Sequence, residues 1–140
     1  MNQDDIRLLK DIYKVSQTGI YANKIIINKS KNDILKQHAK VQYENYCKSA
    51  EESSFMLKDC GAVEEDAGYL YMLSSFGKIK PKDIPNKSLS EISAMIISKS
   101  MSDIEEISQK IDSYRNINDK TRNFANNFIN TQRDLIKSIK

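Results

Sequence analysis

Four long segments of the chain place an apolar residue at every third or fourth position, which is the spacing of one buried face on an α-helix. The segments are residues 3–30, 33–60, 88–114 and 118–139. Four amphipathic helices in 140 residues predict an all-α four-helix bundle, formed as a single domain over residues 1–140. Only four glycines and two prolines occur, which argues against a β-sandwich or a disordered chain.

Each predicted helix carries a capping signal at one of its ends. The pattern Ser88-x-x-Glu91 forms a capping box before the third helix, and Gly61 follows the second helix where a terminating glycine is expected. The other signals are acidic residues and N-cap candidates at helix starts: Asp4, Asp5, Asn32, Asp33, Asn118 and Asp119. These residues indicate the helix boundaries independently of the hydrophobic pattern.

The connections predict how the helices follow one another. Short gaps near residues 31–32 and 115–118 indicate two antiparallel hairpins. The connection from Gly61 to Lys87 is long, and the apolar stretch from Ala67 to Gly77 predicts a short extra helix within it. A helix of 27 residues is about 40 Å long, and this connection can span that length. We therefore expect a ferritin-like crossover, with plain up-down order as the alternative.

Four segments carry a resemblance to known proteins. They are Tyr13-Lys-Val-Ser-Gln-Thr-Gly19-Ile20, Gln42-Tyr-Glu-Asn-Tyr46, Ser90-Glu-Ile-Ser-Ala-Met-Ile96 and Thr131-Gln-Arg-Asp-Leu135. The chain resembles an uncharacterised family of small ferritin-like four-helix-bundle proteins from clostridia and other Firmicutes, a domain of unknown function. The resemblance implies a four-helix fold with a short linking helix and no established activity. The stretch from Ser98 to Glu106 is more polar than the family pattern.

The residues needed for a metal centre are missing. A di-iron site in a bundle takes a Glu from each of two helices and Glu-x-x-His from each of the other two. His38 is the single histidine, and neither the first nor the fourth helix contains Glu. We therefore expect no metal, no cofactor and no enzymatic activity. The alternative is a degenerate metal-binding protein or oxidoreductase that uses His38 with Glu44 or Glu91.

Several stripe positions are polar where an idealised bundle would have leucine. We call these positions, with two neighbouring side chains, the polar seam: Ser16, Asn23, His38, Gln42, Tyr46, Ser49, Ser53 and Thr131. In one interpretation they pack small against large, with Ser16 and Gly19 leaving room for the ring of Tyr46. In the other, they line a slim internal cavity that binds a small ligand.

An apolar run in the long connection is the predicted interaction surface. It wraps more than one face of a short helix, so one packing contact cannot cover all of it. Its residues are Tyr69, Leu70, Tyr71, Met72, Leu73 and Phe76. We expect a protein partner or a second copy of the chain to bind there, so a homodimer is one possible outcome. The alternatives are burial in the groove between the two hairpins and, as a minor option, a membrane-surface role helped by Lys78, Lys80 and Lys82.

Charge and cysteine content limit the remaining classes. The net charge of +3 is too small to indicate nucleic-acid binding, and no apolar stretch approaches the roughly 20 residues of a membrane span. Cys47 and Cys60 lie thirteen residues apart on one predicted helix, about 20 Å apart and beyond disulfide reach. With no export signal at the start of the sequence, these thiols lead us to expect a cytoplasmic protein.

Overall fold

The computed structural model describes residues 2–68 and 81–139, and its helices agree with the sequence prediction. Helix α1 covers Gln3–Lys29, α2 Asp33–Asp59, α3 Leu89–Ser113 and α4 Asp119–Ile139, with a 3₁₀ helix at Pro81–Asn86. No strand occurs within these two ranges. The expected all-α bundle of four long helices is therefore confirmed. None of the helices in the described part of the chain is long and apolar enough to cross a membrane.

The caps explain why the helices begin and end where they do. Asn32 caps α2 and Ser88 caps α3, the latter in a complete capping box with Glu91. Helix α1 also begins with a capping box, which was not predicted from the sequence. The side chain of Asn2 accepts from the backbone N–H of Asp5, and the side chain of Asp5 accepts from the backbone N–H of Asn2. These contacts satisfy backbone N–H groups that have no partner inside the helix.

Gly61 ends α2 in the manner predicted. Its φ of 79° lies in the left-handed region, its N–H donates to Lys58 O, and the N–H of Ala62 donates to Leu57 O. This pair of bonds is a Schellman motif, and Ala62 packs against the cluster that contains Leu57.

We expect Gly61→Ala to lower the free energy of unfolding by about 1 kcal/mol, since a Cβ is disfavoured in the left-handed region. No atom lies within 4 Å of the added Cβ, so the loss would come from the backbone alone. Thermal unfolding measures it. Gly61→Asn should lose less, because asparagine tolerates this conformation better; an equal loss for both variants would contradict the explanation.

The contacts of the described residues give the direction of each helix. Leu9, Met56 and Leu57 cluster at one end of the bundle. At the other end, Ile26, Leu35, Ile84 and Ile92 form a second cluster. The long connection therefore leaves α2 at the first end and enters α3 at the second, so that α2 and α3 run in the same direction. The connection therefore crosses the bundle from end to end, and the up-down alternative is wrong.

The predicted extra helix lies mostly outside the described residues. Its first two residues, Ala67 and Gly68, are described and are not helical. Before them the chain runs along α1, where Glu65 pairs with Lys10 and Lys14, and Asp66 accepts from Gln17. The connection is thus held to α1 from its first residues. The interaction surface Tyr69–Phe76 lies outside the described residues and stays a prediction.

A buried carboxylate holds the α3–α4 turn against the start of α1. Asp5 has no exposed surface and accepts from both the backbone N–H and the side-chain amide of Asn118, each at 2.9 Å. Asn118 in turn caps α4 through the backbone N–H of Thr121. One acidic side chain therefore organises the starts of two helices, which suits the partial positive charge of helix N-termini.

Candidate functional site: a polar layer in the bundle core

A glycine on α1 lies in close contact with an aromatic ring on α2. A Cβ built on Gly19 of α1 would lie 2.4 Å from the ring of Tyr46 on α2, closer than any real side-chain contact. The ring is 1% exposed, so it fills the space that glycine leaves. The predicted packing of a small residue against Tyr46 is confirmed at this position.

The hydroxyl of Tyr46 reaches across the bundle to an ion pair on α3. It donates to Asp103 Oδ2 at 2.7 Å, and both oxygens of Asp103 accept from Lys99 Nζ at 2.6 Å. Lys99 Nζ also lies 5.7 Å from the centroid of the Tyr46 ring, within range of a cation–π contact. We call Tyr46, Lys99 and Asp103 the core triad.

Burial shifts the pKa values of Asp103 and Tyr46. It raises the pKa of the Asp103 carboxyl, and Lys99 and the Tyr46 hydrogen bond oppose that rise. Burial and then the charge of Asp103 raise the pKa of Tyr46 well above its usual value, which keeps the phenol protonated as a donor. The contact between Lys99 and Asp103 places groups of opposite charge against each other inside the protein.

The sequence analysis did not single out the two charged members of the core triad. The apolar pattern of α3 includes Ile92 and Ile96 and continues at Ile104, with positions 99, 100 and 103 between them. In the structure these three positions complete the buried face of α3 between Ile96 and Ile107. The gap of two turns in the apolar pattern was the available signal, and a Lys and an Asp four residues apart occupy it.

Most of the polar seam is buried as predicted. Six of its members are buried: Ser16, Asn23, Gln42, Tyr46, Ser49 and Ser53. His38 is half-buried. The prediction for Thr131 is wrong, because its side chain is exposed. The buried face of α4 includes Phe128, Ile129 and Gln132 instead.

Several buried polar atoms of this region have no protein partner. They are Ser16 Oγ, Asn23 Oδ1, both side-chain polar atoms of Gln42, Thr121 Oγ1 and Gln132 Nε2, together with Asn45 Nδ2 on a half-buried side chain. The other polar atoms of two of these side chains are paired. The side-chain oxygen of Gln132 accepts from the hydroxyl of Ser100, and the side-chain N–H of Asn23 donates to Gly19 O at 2.8 Å. Unpaired buried polar groups are uncommon, so the interior positions of Asn23, Gln42 and Gln132 are unusual.

The next candidates are the residues that could bind a metal and the two cysteines. Within residues 2–68 and 81–139, no three or more His, Cys, Asp or Glu side chains are grouped so that they could hold a metal ion. Cys47 and Cys60 are free and half-buried. The Cys60 thiol donates to Leu57 O at 3.1 Å, a contact that belongs to the end of α2.

A second feature lies on the outer side of α3. Between Glu91 and Glu105 the only charged residues are Lys99 and Asp103, and both are buried. About 20 Å of exposed helix surface therefore carries no charge. A groove of about 1010 Å³ follows this surface and is closed on its other side by α4. We call it the α3 groove; among its lining residues are Ala94, Ile97, Ser98, Met101, Ser102, Arg133, Ile136 and Lys137.

Comparison with known proteins does not supply a function. No protein-family model, no curated protein and no solved structure matches the chain. The chemistry of the core and of the α3 groove therefore carries the functional argument.

Proposed function

We propose that the protein is a non-catalytic, ferritin-like helical bundle that binds a partner protein through the α3 groove. The single observation that carries this proposal is the uncharged outer surface of α3. Solvated helix faces carry charged residues, as α2 does with Lys40, Glu44 and Lys48. Between residues 92 and 104 of α3 the exposed positions are instead small or apolar, and Met101 is 55% exposed.

The ferritin-like assignment rests on helix order and on the resemblance given by the sequence. Two antiparallel hairpins joined by a long crossover are the connectivity of ferritin-like bundles. The uncharacterised clostridial family that the chain resembles has the same expected architecture. The core triad supports a role without a metal, since Lys99 already neutralises the only carboxylate that reaches the middle of the bundle among the described residues.

The shape and charge of the α3 groove favour an amphipathic helix with acidic residues along one flank. Ala94, Ser98 and Ser102 recur every four residues, and small side chains let a second helix approach closely. The apolar side chains of Ile97 and Met101 would meet its apolar face. Arg133 and Lys137 line the α4 side, and Glu105 lines the α3 side. An acidic flank of the bound helix that lies along α4 would complement Arg133 and Lys137.

A second copy of the chain fits this surface less well. An antiparallel arrangement of two α3 helices around a two-fold axis near Ser98 brings each α4 edge toward the same edge of the other copy. Arg133 and Lys137 would then face their own counterparts. Like charges across an interface disfavour association, so we propose a different protein as the occupant.

The proposal is tested with two designed helical peptides that share one leucine face and differ only in glutamate or lysine flanks. We expect the glutamate peptide to bind more tightly, and Met101→Glu to weaken that binding at least about tenfold, which corresponds to about 1.4 kcal/mol. Fluorescence anisotropy measures both affinities. The matched control is Phe55→Glu on α2, where an equally apolar side chain is 69% exposed outside the groove.

Three results would contradict the proposal. They are absence of binding by either peptide, tighter binding of the lysine peptide, and equal losses in Met101→Glu and Phe55→Glu. A doubled mass in sedimentation that Met101→Glu returns to the monomer would identify a second copy as the occupant in place of another protein.

A further inference from the structure

Each of the four helices contributes a polar side chain at one level of the core. We call Asn23, Gln42, Ser100 and Gln132 the amide layer. Gln42 lies one turn before Tyr46 on α2, and Ser100 lies almost one turn before Asp103 on the parallel helix α3. Because Tyr46 bonds to Asp103, Gln42 and Ser100 share a level.

The other two members follow from their direct neighbours. The hydroxyl of Ser100 bonds to the side-chain oxygen of Gln132 on α4. Gly19 of α1 touches Tyr46, and α1 is antiparallel to α2, so Asn23 one turn later faces Gln42. The amide layer therefore crosses the whole bundle next to the core triad.

Three side chains of the amide layer are almost completely buried and have donors or acceptors without a protein partner. Asn23, Gln42 and Gln132 are 3%, 1% and 0% exposed. Asn23 offers a free acceptor, Gln132 a free donor, and Gln42 both an acceptor and a donor. Reversing the amide of Gln42 changes nothing, since both of its polar atoms lack partners.

We infer that the amide layer binds one or more ordered water molecules that hydrogen-bond to side chains from different helices. Water both donates and accepts, so one molecule can receive the N–H of Gln42 and donate to the oxygen of Asn23. A cation would meet too few oxygen ligands among neutral amides. An anion would meet Asp103, while the ammonium of Lys99 is already held by both carboxylate oxygens.

This inference is independent of the α3 groove and is tested by oxygen-17 magnetic relaxation dispersion, which counts internal waters that remain bound longer than the protein tumbles. We expect the wild-type protein to hold such waters and Gln42→Met to lose at least one. Methionine has nearly the shape of glutamine without its polar atoms. Gln37→Met, on the exposed side of the same helix, is the matched control and should retain the wild-type number.

Urea unfolding gives a second measurement, because Gln42→Met should shift the unfolding midpoint in opposite directions for a hydrated and a dry amide layer. If water satisfies the amides, Gln42→Met strands its partners and lowers the unfolding midpoint; if the layer is dry, the variant removes an unpaired amide and raises the midpoint. Absence of internal water in the wild type, an unchanged count in Gln42→Met, or a raised midpoint would overturn the inference. Should Gln42→Met fail to fold by circular dichroism, Gln132→Met carries the same test.

Discussion

Asp103→Ala lowers the free energy of unfolding by about 3–5 kcal/mol, as expected when one member of a buried ion pair is removed. Lys99 is 9% exposed and would lose the carboxylate that pairs with its amino group in the core. The Tyr46 hydroxyl would lose its acceptor at the same time. Urea unfolding at neutral pH measures the loss.

The combined replacement of the core triad should behave in the opposite way. In Tyr46→Phe/Lys99→Met/Asp103→Leu, apolar groups of similar volume remove both the charges and the need to pair them. Such replacements are commonly neutral or stabilise a protein by about 1–4 kcal/mol. A triple variant that loses as much stability as Asp103→Ala would show that packing, and not the unpaired charge, explains the single substitution.

An exposed pair with the same spacing provides the matched control. Lys48 and Glu52 are also four residues apart, and their closest charged atoms are separated by 4.0 Å, with side chains 74% and 49% exposed. Glu52→Ala should change stability by less than about 1 kcal/mol, since water screens the pair. If it cost as much as Asp103→Ala, burial would not be the cause of the larger effect.

Gly19→Ala should destabilise the protein although alanine favours helices. Alanine gains about 1 kcal/mol over glycine inside a helix, and overpacking of a core costs up to about 3 kcal/mol. The new methyl would lie 2.4 Å from the Tyr46 ring, which is held at its other end by Asp103. We expect a net loss of about 2 kcal/mol in chemical denaturation.

The same substitution should reverse its sign once the ring is absent. In a Tyr46→Ala background the added methyl meets no ring, so Gly19→Ala should recover the helix-propensity gain of about 1 kcal/mol. Gly68→Ala is the surface control, because no atom lies within 4 Å of its added Cβ. A loss at Gly19 that persists without the ring would refute the close-packing explanation.

The helices could be predicted from the sequence because their signals are local. Hydrophobic spacing, the Ser88 capping box and the terminating Gly61 each act within one or two turns. The side chain of Asp5 could not be placed in this way. An acidic residue at a helix start satisfies the local rule whether it is solvated or, as here, also bonded to Asn118 on a distant turn.

The candidate site was predictable only where its pattern was continuous. The polar seam followed from stripe positions on α1 and α2, and six of its members are buried. On α4 the apolar residues allow two overlapping stripes, and the choice between Thr131 and Gln132 depends on how the helix is rotated against its neighbours. Only the packed bundle fixes that rotation.

By itself, the sequence determined the four helices, their ends, the hairpin pairing and the lack of a conventional di-iron ligand set, because each depends on residue type and spacing along the chain. The tertiary structure decided which polar residues face one another. Lys99 and Asp103 are neighbours on α3, but Tyr46 comes from α2, far away in sequence, and its buried bond to Asp103 forms only when the two hairpins pack.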